Sequence, residues 1–167
     1  MDISESLIRK NYIKMYGIER TFTNYAKILI ESNFNDVCVL SNVLGWKHGR
    51  YEKFDRNGTW YRHIGKIDGK KEFVEYPEAL VSDVLSKESE VKYFIAVKDP
   101  LAWYVSYAKF KNHPLNPMNE ELVHKAFVRW NEQYSSWYEL VCNDPTKAKI
   151  FDYTDFLQFG VKDFLVV

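Results

Sequence analysis

The sequence predicts an α/β fold, a three-layer sandwich with a mostly parallel central sheet. Three observations predict it. Short apolar runs alternate with helical patterns along the chain; residues 37–40 are continuously apolar, as a strand covered on both faces must be; and the runs at 12–18 and 91–97 lead into a Gly turn and a Lys-Asp-Pro turn that open helices. At 167 residues the chain suits one domain with a sizeable core.

The elements follow in order. Residues 12–18 alternate apolar and polar side chains as a strand does, and residues 21–32 place Tyr25, Ile28 and Leu29 at helical spacing, with Thr21 as the cap. Residues 37–40 are the buried strand. From about 49 to 76 aromatic and basic residues interleave, and Asn57-Gly58 and Asp68-Gly69 signal turns, so this stretch reads as hairpins or a long excursion on the core. Pro77 opens a helix to about 87. The strand at 91–97 runs into Asp99 as N-cap and Pro100 at the first helical position, with a helix through Phe110. His113-Pro114 and Asn116-Pro117 break the chain before a long amphipathic helix over about 119–142. Residues 149–151 form a last short strand, and 152–157 a final turn or helix. The aromatic residues Trp103, Tyr104, Trp130, Tyr134 and Trp137 fall at helical spacing and are expected in the core.

Charge narrows the function classes. Lys plus Arg equals Asp plus Glu at 23 each, which argues against a nucleic-acid or membrane-surface binder, since either needs an excess of cations. No apolar run approaches a membrane span, and the first residues are acidic and polar, so a cytoplasmic protein without a signal peptide is expected. Cys38 and Cys142 lie in apolar surroundings and are expected to be buried, reduced thiols. No His or Cys stands at metal-ligand spacing, and no metal is expected. Aromatic residues make up 17%, enough to supply a subunit interface as well as a core, so a homo-oligomer stays open.

In a parallel sheet ligands bind beyond the carboxyl ends of the strands. That rule singles out residues 17–25, 42–48 and 98–106. The first turn carries Arg20, a permanent charge with a fork of donors suited to phosphate or sulfate oxygens, among Thr21, Phe22, Thr23 and Asn24. An ordinary capped helix start has the same residue types. No G-x-x-x-x-G-K-[ST] loop occurs, which disfavours an ordinary ATPase. In the third segment Lys98 ends a strand and Ser106 lies eight residues on, about two helical turns, so the two can line one edge of a cleft.

Taken together these segments resemble the sulfotransferase family. Its first motif is a strand followed by Pro-Lys-Ser-Gly-Thr-Thr-Trp; here the stretch reads Glu19-Arg20-Thr21-Phe22-Thr23-Asn24-Tyr25. Its second is a strand, then Arg-x-Pro and a Ser at the eighth position; here it is Lys98-Asp99-Pro100 through Ser106-Tyr107. A third likeness is the Trp-bearing helix at 130–137 followed by Lys149-Ile150-Phe151-Asp152-Tyr153. Arg20 stands where the family has Lys, Phe22 where it has Gly, and Lys98 where it has Arg.

The resemblance implies a P-loop-type fold and the donor 3′-phosphoadenosine 5′-phosphosulfate as co-substrate. Residues 20–24 would cradle its 5′-phosphosulfate, and Lys98 with Ser106 its 3′-phosphate. Arg20 would stabilise charge in the transfer. For the base the segment at 44–49 offers His48, which titrates near neutral pH, with Lys47 beside it; His63 and Glu52 compete, and His113 and His124 lie farther off. The excursion, with Trp46, Tyr51, Phe54, Trp60 and Tyr61 among Lys47, Arg50, Lys53, Arg56 and Arg62, suits a small-molecule or carbohydrate acceptor. Two other readings stay open: a binding module of the same fold without catalysis, and a small-molecule kinase, for which no Mg²⁺-binding carboxylate stands out.

Overall fold

The computed structural model of the chain describes residues 11–51, 60–67 and 70–154; for 61–67 and 70–72 it describes the backbone alone. Its centre is a four-stranded parallel sheet in the order β2-β1-β5-β6, formed by β1 (Asn11–Tyr16), β2 (Val37–Leu40), β5 (Lys92–Val97) and β6 (Ala148–Asp152). A separate antiparallel pair, β3 (Tyr61–Ile67) with β4 (Lys70–Glu75), occupies part of the expected excursion. The Asp68-Gly69 and Asn57-Gly58 turn signals lie outside the described residues.

Helices cover both faces of the sheet. On one face α1 (Thr23–Asn33) buries Ala26 and Ile30 against Met15, Val39, Phe94, Ala96 and Phe151. On the other, α3 (Pro100–Lys111) and α4 (Glu120–Asn143) pack Trp103, Tyr104, Tyr134 and Trp137 against Tyr16 and Ile95, and the half-buried Trp130 joins them. The aromatic residues expected in the core are there. The short α2 (Glu78–Ser86) presses Leu80 and Val84 onto Tyr12 and Leu40, and the Tyr12 hydroxyl donates to the Asp83 carboxylate at 2.5 Å.

Side-chain caps set two of the four α-helix starts among the described residues. Asp99 caps α3 by accepting from the Ala102 N–H at 2.8 Å, with Pro100 at its first position. Asn119 caps α4 in the same way at 3.1 Å. At α1 the expectation fails. The helix begins at Thr23, its N-cap is Phe22 in the left-handed region (φ 56°), and no side chain caps it. Thr21 instead donates its hydroxyl to Ile18 O at 2.6 Å and holds the preceding turn.

Two further expectations are corrected. β1 has no polar face: its alternating side chains are covered on both sides, and Lys14 is fully buried. Cys142 is exposed and Cys38 half-buried, because Cys142, near the end of α4, falls off the stripe formed by Tyr134, Trp137 and Leu140; neither is in a disulfide. Among the described residues, no helix is long and apolar enough to cross a membrane.

Candidate functional site

The sheet order creates one switch point. From β1 the chain passes through α1 to β2 on one side, whereas from β5 it passes through α3 and α4 to β6 on the other. The carboxyl ends of neighbouring β1 and β5 therefore feed chains that diverge, and the crevice between them is where such sheets take ligands. All three segments singled out from the sequence meet there.

The turn after β1 is tight. A Cβ on Gly17 would stand 2.7 Å from both Thr21 Oγ1 and Thr23 Cγ2 and 3.1 Å from the Ala96 Cβ, so no larger residue fits between the turn and β5. Arg20 (φ 74°) and Phe22 (φ 56°) both adopt left-handed conformations. For such residues this costs roughly 1–2 kcal/mol each, which surrounding contacts must offset. Part of the offset is visible. The Trp103 indole donates to Glu19 O at 2.8 Å, and the Glu19 carboxylate receives Arg129 of α4 at 2.5 Å. The Phe22 ring packs against Phe94 and Tyr153, with centroids at 6.4 and 5.3 Å.

Arg20 extends from this turn across the crevice. Its Nε donates to Ser106 Oγ of α3 at 3.3 Å, and its guanidinium lies 5.6 Å from the Phe110 ring centroid. The loop after β2 closes the other side. Gly17 N–H donates to Lys47 O at 3.0 Å, and the Lys47 amine reaches Asn24 Oδ1 of α1's first turn at 2.5 Å. The His48 Nδ1 contacts Gly17 O.

Thus Arg20, Asn24, Lys47, His48 and Ser106 converge. Lys98 stands apart: its amine lies 5.3 Å from the Tyr153 ring, and among the described residues no hydrogen bond joins it to Ser106. Thr21 and Thr23 are buried and shape the turn. Of the competing bases, Glu52 lies outside the described residues, as does the His63 side chain; His113 packs on Tyr107, and His124 is exposed.

Excursion residues divide the same way. Arg50 pairs with Glu132 at 2.9 Å, Tyr51 N–H donates to Ser136 Oγ at 2.8 Å, and the Trp137 indole donates to Gly49 O at 3.1 Å. These ties fasten the start of the excursion to α4. Trp46 is 54% exposed beside His48, edge-on at 5.3 Å. Trp60 packs on the α2 core. Phe54, Lys53 and Arg56 lie outside the described residues, as do the side chains of Tyr61 and Arg62.

Positive charge dominates the crevice. Burial, then the neighbouring Lys27, lowers the Lys47 amine below the usual lysine value. Burial is also the main force lowering His48; Lys47 and Arg129 push the same way, against the Gly17 carbonyl and Glu19. At α1 the helix dipole adds to this, with no acidic side chain in the first turn. Such a place favours an anion.

Arg129 and Lys14 escaped the sequence reading, and Glu19 entered it only as the first residue of a motif. Arg129 and Glu19 are 110 positions apart, and nothing local marks their pairing. Lys14 did carry a signal, a lysine spaced by two from both Tyr12 and Tyr16 on a face that turned out to be core. Among the described residues no group of His, Cys, Asp or Glu could hold a metal ion. Comparison with protein-family models, with curated proteins and with solved structures finds no match for this chain.

Proposed function

We propose that this is a sulfotransferase-like protein of P-loop type, which transfers a sulfuryl group from 3′-phosphoadenosine 5′-phosphosulfate to a hydroxyl acceptor, with a carbohydrate as the favoured class. One observation carries the reading. Arg20 of the β1 turn reaches Ser106 of the helix after β5, so the two segments that resemble the family's two phosphate-binding motifs form one edge of one crevice.

The residues present suit the donor's charge. Arg20, Lys47 and the uncapped start of α1 would hold the 5′-phosphosulfate; Ser106 and Arg20 would receive the 3′-phosphate, with Lys98 more remote. In the transfer the acceptor oxygen bonds to sulfur as the bond from sulfur to the phosphate oxygen breaks, and the bisphosphate leaves. Arg20 and Lys47 neutralise the charge growing on that leaving oxygen. His48 takes the acceptor proton. A carbonyl only accepts, so the Nδ1 that meets Gly17 O carries a hydrogen, and the Nε2 of the neutral ring keeps a lone pair for the acceptor. Trp46 beside it offers an aromatic face for a sugar ring.

A module that binds the nucleotide without turnover is the second reading. The observation that favours it is the Thr21 hydroxyl, which is engaged with Ile18 O within the turn.

Thermal unfolding with 3′,5′-adenosine bisphosphate, and separately with ATP and Mg²⁺, tests the proposal. At a hundredfold excess over Kd the bisphosphate adds about 2.7 kcal/mol, a rise in Tm of roughly 5–10 °C for a chain of this size. No rise with the bisphosphate, or a rise with ATP only when Mg²⁺ is present, rejects the donor assignment. Release of bisphosphate from the sulfated donor separates a transferase from a binding module.

A further inference from the structure

Lys14 is the one charged side chain that is fully buried among the described residues. It lies on β1, three residues before Gly17, on the face that carries Tyr12 and Tyr16. Its amine donates to Ser41 O at 2.9 Å and to Gly45 O at 2.5 Å, and it lies 4.9 Å from the Tyr16 ring centroid. Both carbonyls belong to the loop after β2, which brings Lys47 to Asn24 and His48 to Gly17. A lysine buried for stability alone would be expected to face a carboxylate, because an unpaired buried charge is costly. Here its hydrogen-bond partners are two backbone carbonyls of one loop.

That loop needs holding. Leu44 is buried at φ 59° and Gly45 turns at φ 93°, so two successive residues take left-handed conformations. The Tyr16 hydroxyl donates to Leu44 O at 3.1 Å, between the two carbonyls that Lys14 engages. Three polar ties from one face of β1, to the carbonyls of Ser41, Leu44 and Gly45, thus hold the first half of the loop.

We propose that Lys14 is a positioning residue, whose buried amine draws residues 41–49 down onto β1 and so sets Lys47 and His48 at the anion site. The part played by Lys47 and His48 rests on the function proposed above; the hold on the loop does not.

The amine also makes loop closure depend on pH. Its surroundings are Tyr16 on its own strand and Lys47 on the loop, and burial first, then Lys47, lowers its proton affinity well below the lysine value of 10.5. Opening the loop exposes the amine and restores that affinity. Closure therefore releases a proton wherever pH lies between the depressed value and 10.5, and it strengthens by up to tenfold per pH unit across that window. Below the depressed value the slope vanishes.

Amide hydrogen exchange of residues 42–49, expressed as protection relative to the free peptide rate, reads this directly. In the unaltered protein, protection of these amides is expected to rise with pH below 10.5, with a slope that the amides of β5 do not share. Lys14→Met keeps the length and apolar stem but removes both donors; it should lower loop protection at least tenfold at pH 8 and flatten the slope. Lys14→Arg, which stays charged, should flatten the slope as well.

Loop protection without a pH slope in the unaltered protein overturns the proposal. Unchanged protection in Lys14→Met does so too. If Lys14→Met fails to fold, Lys14→Arg decides: Lys47 sits on the same loop and its amine is itself lowered by burial, so a slope left unchanged in Lys14→Arg overturns the proposal. Bisphosphate binding is measured in parallel on both proteins. Its loss in the unaltered protein rejects the donor assignment and leaves the loop result standing. Full retention by a Lys14→Met protein whose loop has loosened rejects the link from Lys14 to the anion site.

Discussion

Arg20 Nε lies 3.3 Å from Ser106 Oγ, joining the turn after β1 to the third helix across 86 positions of sequence. Under the proposed function the contact gives each residue a separable role in anion binding. Arg20→Ala removes a charged fork of donors and should weaken 3′,5′-adenosine bisphosphate about 10–100-fold, the equivalent of roughly 1.5–3 kcal/mol for hydrogen bonds from a charged group. Ser106→Ala removes one neutral hydroxyl and should cost about fivefold. Because the two side chains touch, the double variant should lose less than the product of the two effects. Titration calorimetry on the three variants checks this, and affinity equal to that of the unaltered protein in all of them would remove Arg20 and Ser106 from the anion site.

His48 gives the pH dependence. Its proton affinity is lowered below the ordinary value of 6.5, chiefly by burial, so the ring is neutral and available as a base at neutral pH. Turnover, followed as bisphosphate release, should rise with pH along a limb whose midpoint lies below 6.5. His48→Ala should cost about 10²–10⁴ in kcat and abolish that limb. Stability follows the same sign. The unfolded chain takes up the proton more readily, so the contribution from His48 is present above pH 6.5 and is lost as pH falls through the depressed value. A rate independent of His48 would assign the base elsewhere.

Phe22 offers a test of the turn's backbone. The ring is half-buried on Phe94 and Tyr153, and truncation should cost about 2 kcal/mol, less than a fully buried Phe. Phe22→Ala loses the ring and keeps the left-handed strain. Phe22→Gly loses the ring and relieves about 1 kcal/mol of that strain, at a helix N-cap where Gly is also preferred over Ala. The Gly variant should therefore be the more stable of the two by about 1 kcal/mol in urea unfolding. The opposite order would mean that the φ of 56° imposes no cost.

Gly17→Ala acts on packing. Its methyl would sit 2.7 Å from two threonine side-chain atoms beneath the turn, both buried. Overpacking of this kind costs about 1–3 kcal/mol, and the adjustment must displace Thr21 or Thr23, on either side of the start of α1. The bisphosphate-induced rise in Tm should fall by more than half. Two-dimensional NMR should show the largest shifts at residues 17–24. An unchanged ligand response would mean that the turn does not form the anion site.

Much of the fold was legible in the sequence because its signals are local. The apolar run at 37–40 is a strand with those bounds, Asp99-Pro100 opens a helix, and the long helix expected from about 119 begins at Glu120, since each depends on residues within one turn of itself. Thr21 misled for the same reason. Its hydroxyl suits a cap, but Ile18 O was nearer once the turn had closed, and the helix began two residues later without a side-chain cap. The site was legible as three separate segments and illegible as an arrangement.

The order of strands and helices, the Gly17 turn with Arg20, and the presence of Lys47 and His48 beyond β2 belong to the sequence alone, because period, caps and turn residues act over a few positions. The strand order β2-β1-β5-β6 belongs to the tertiary structure, and with it everything that spans distant segments. It put Arg20 on Ser106, Glu19 on Arg129 across 110 positions, and the Lys14 amine beneath the loop that carries Lys47 and His48. Each of those contacts was decided by which surfaces the packed sheet brought together, and no spacing along the chain records that choice.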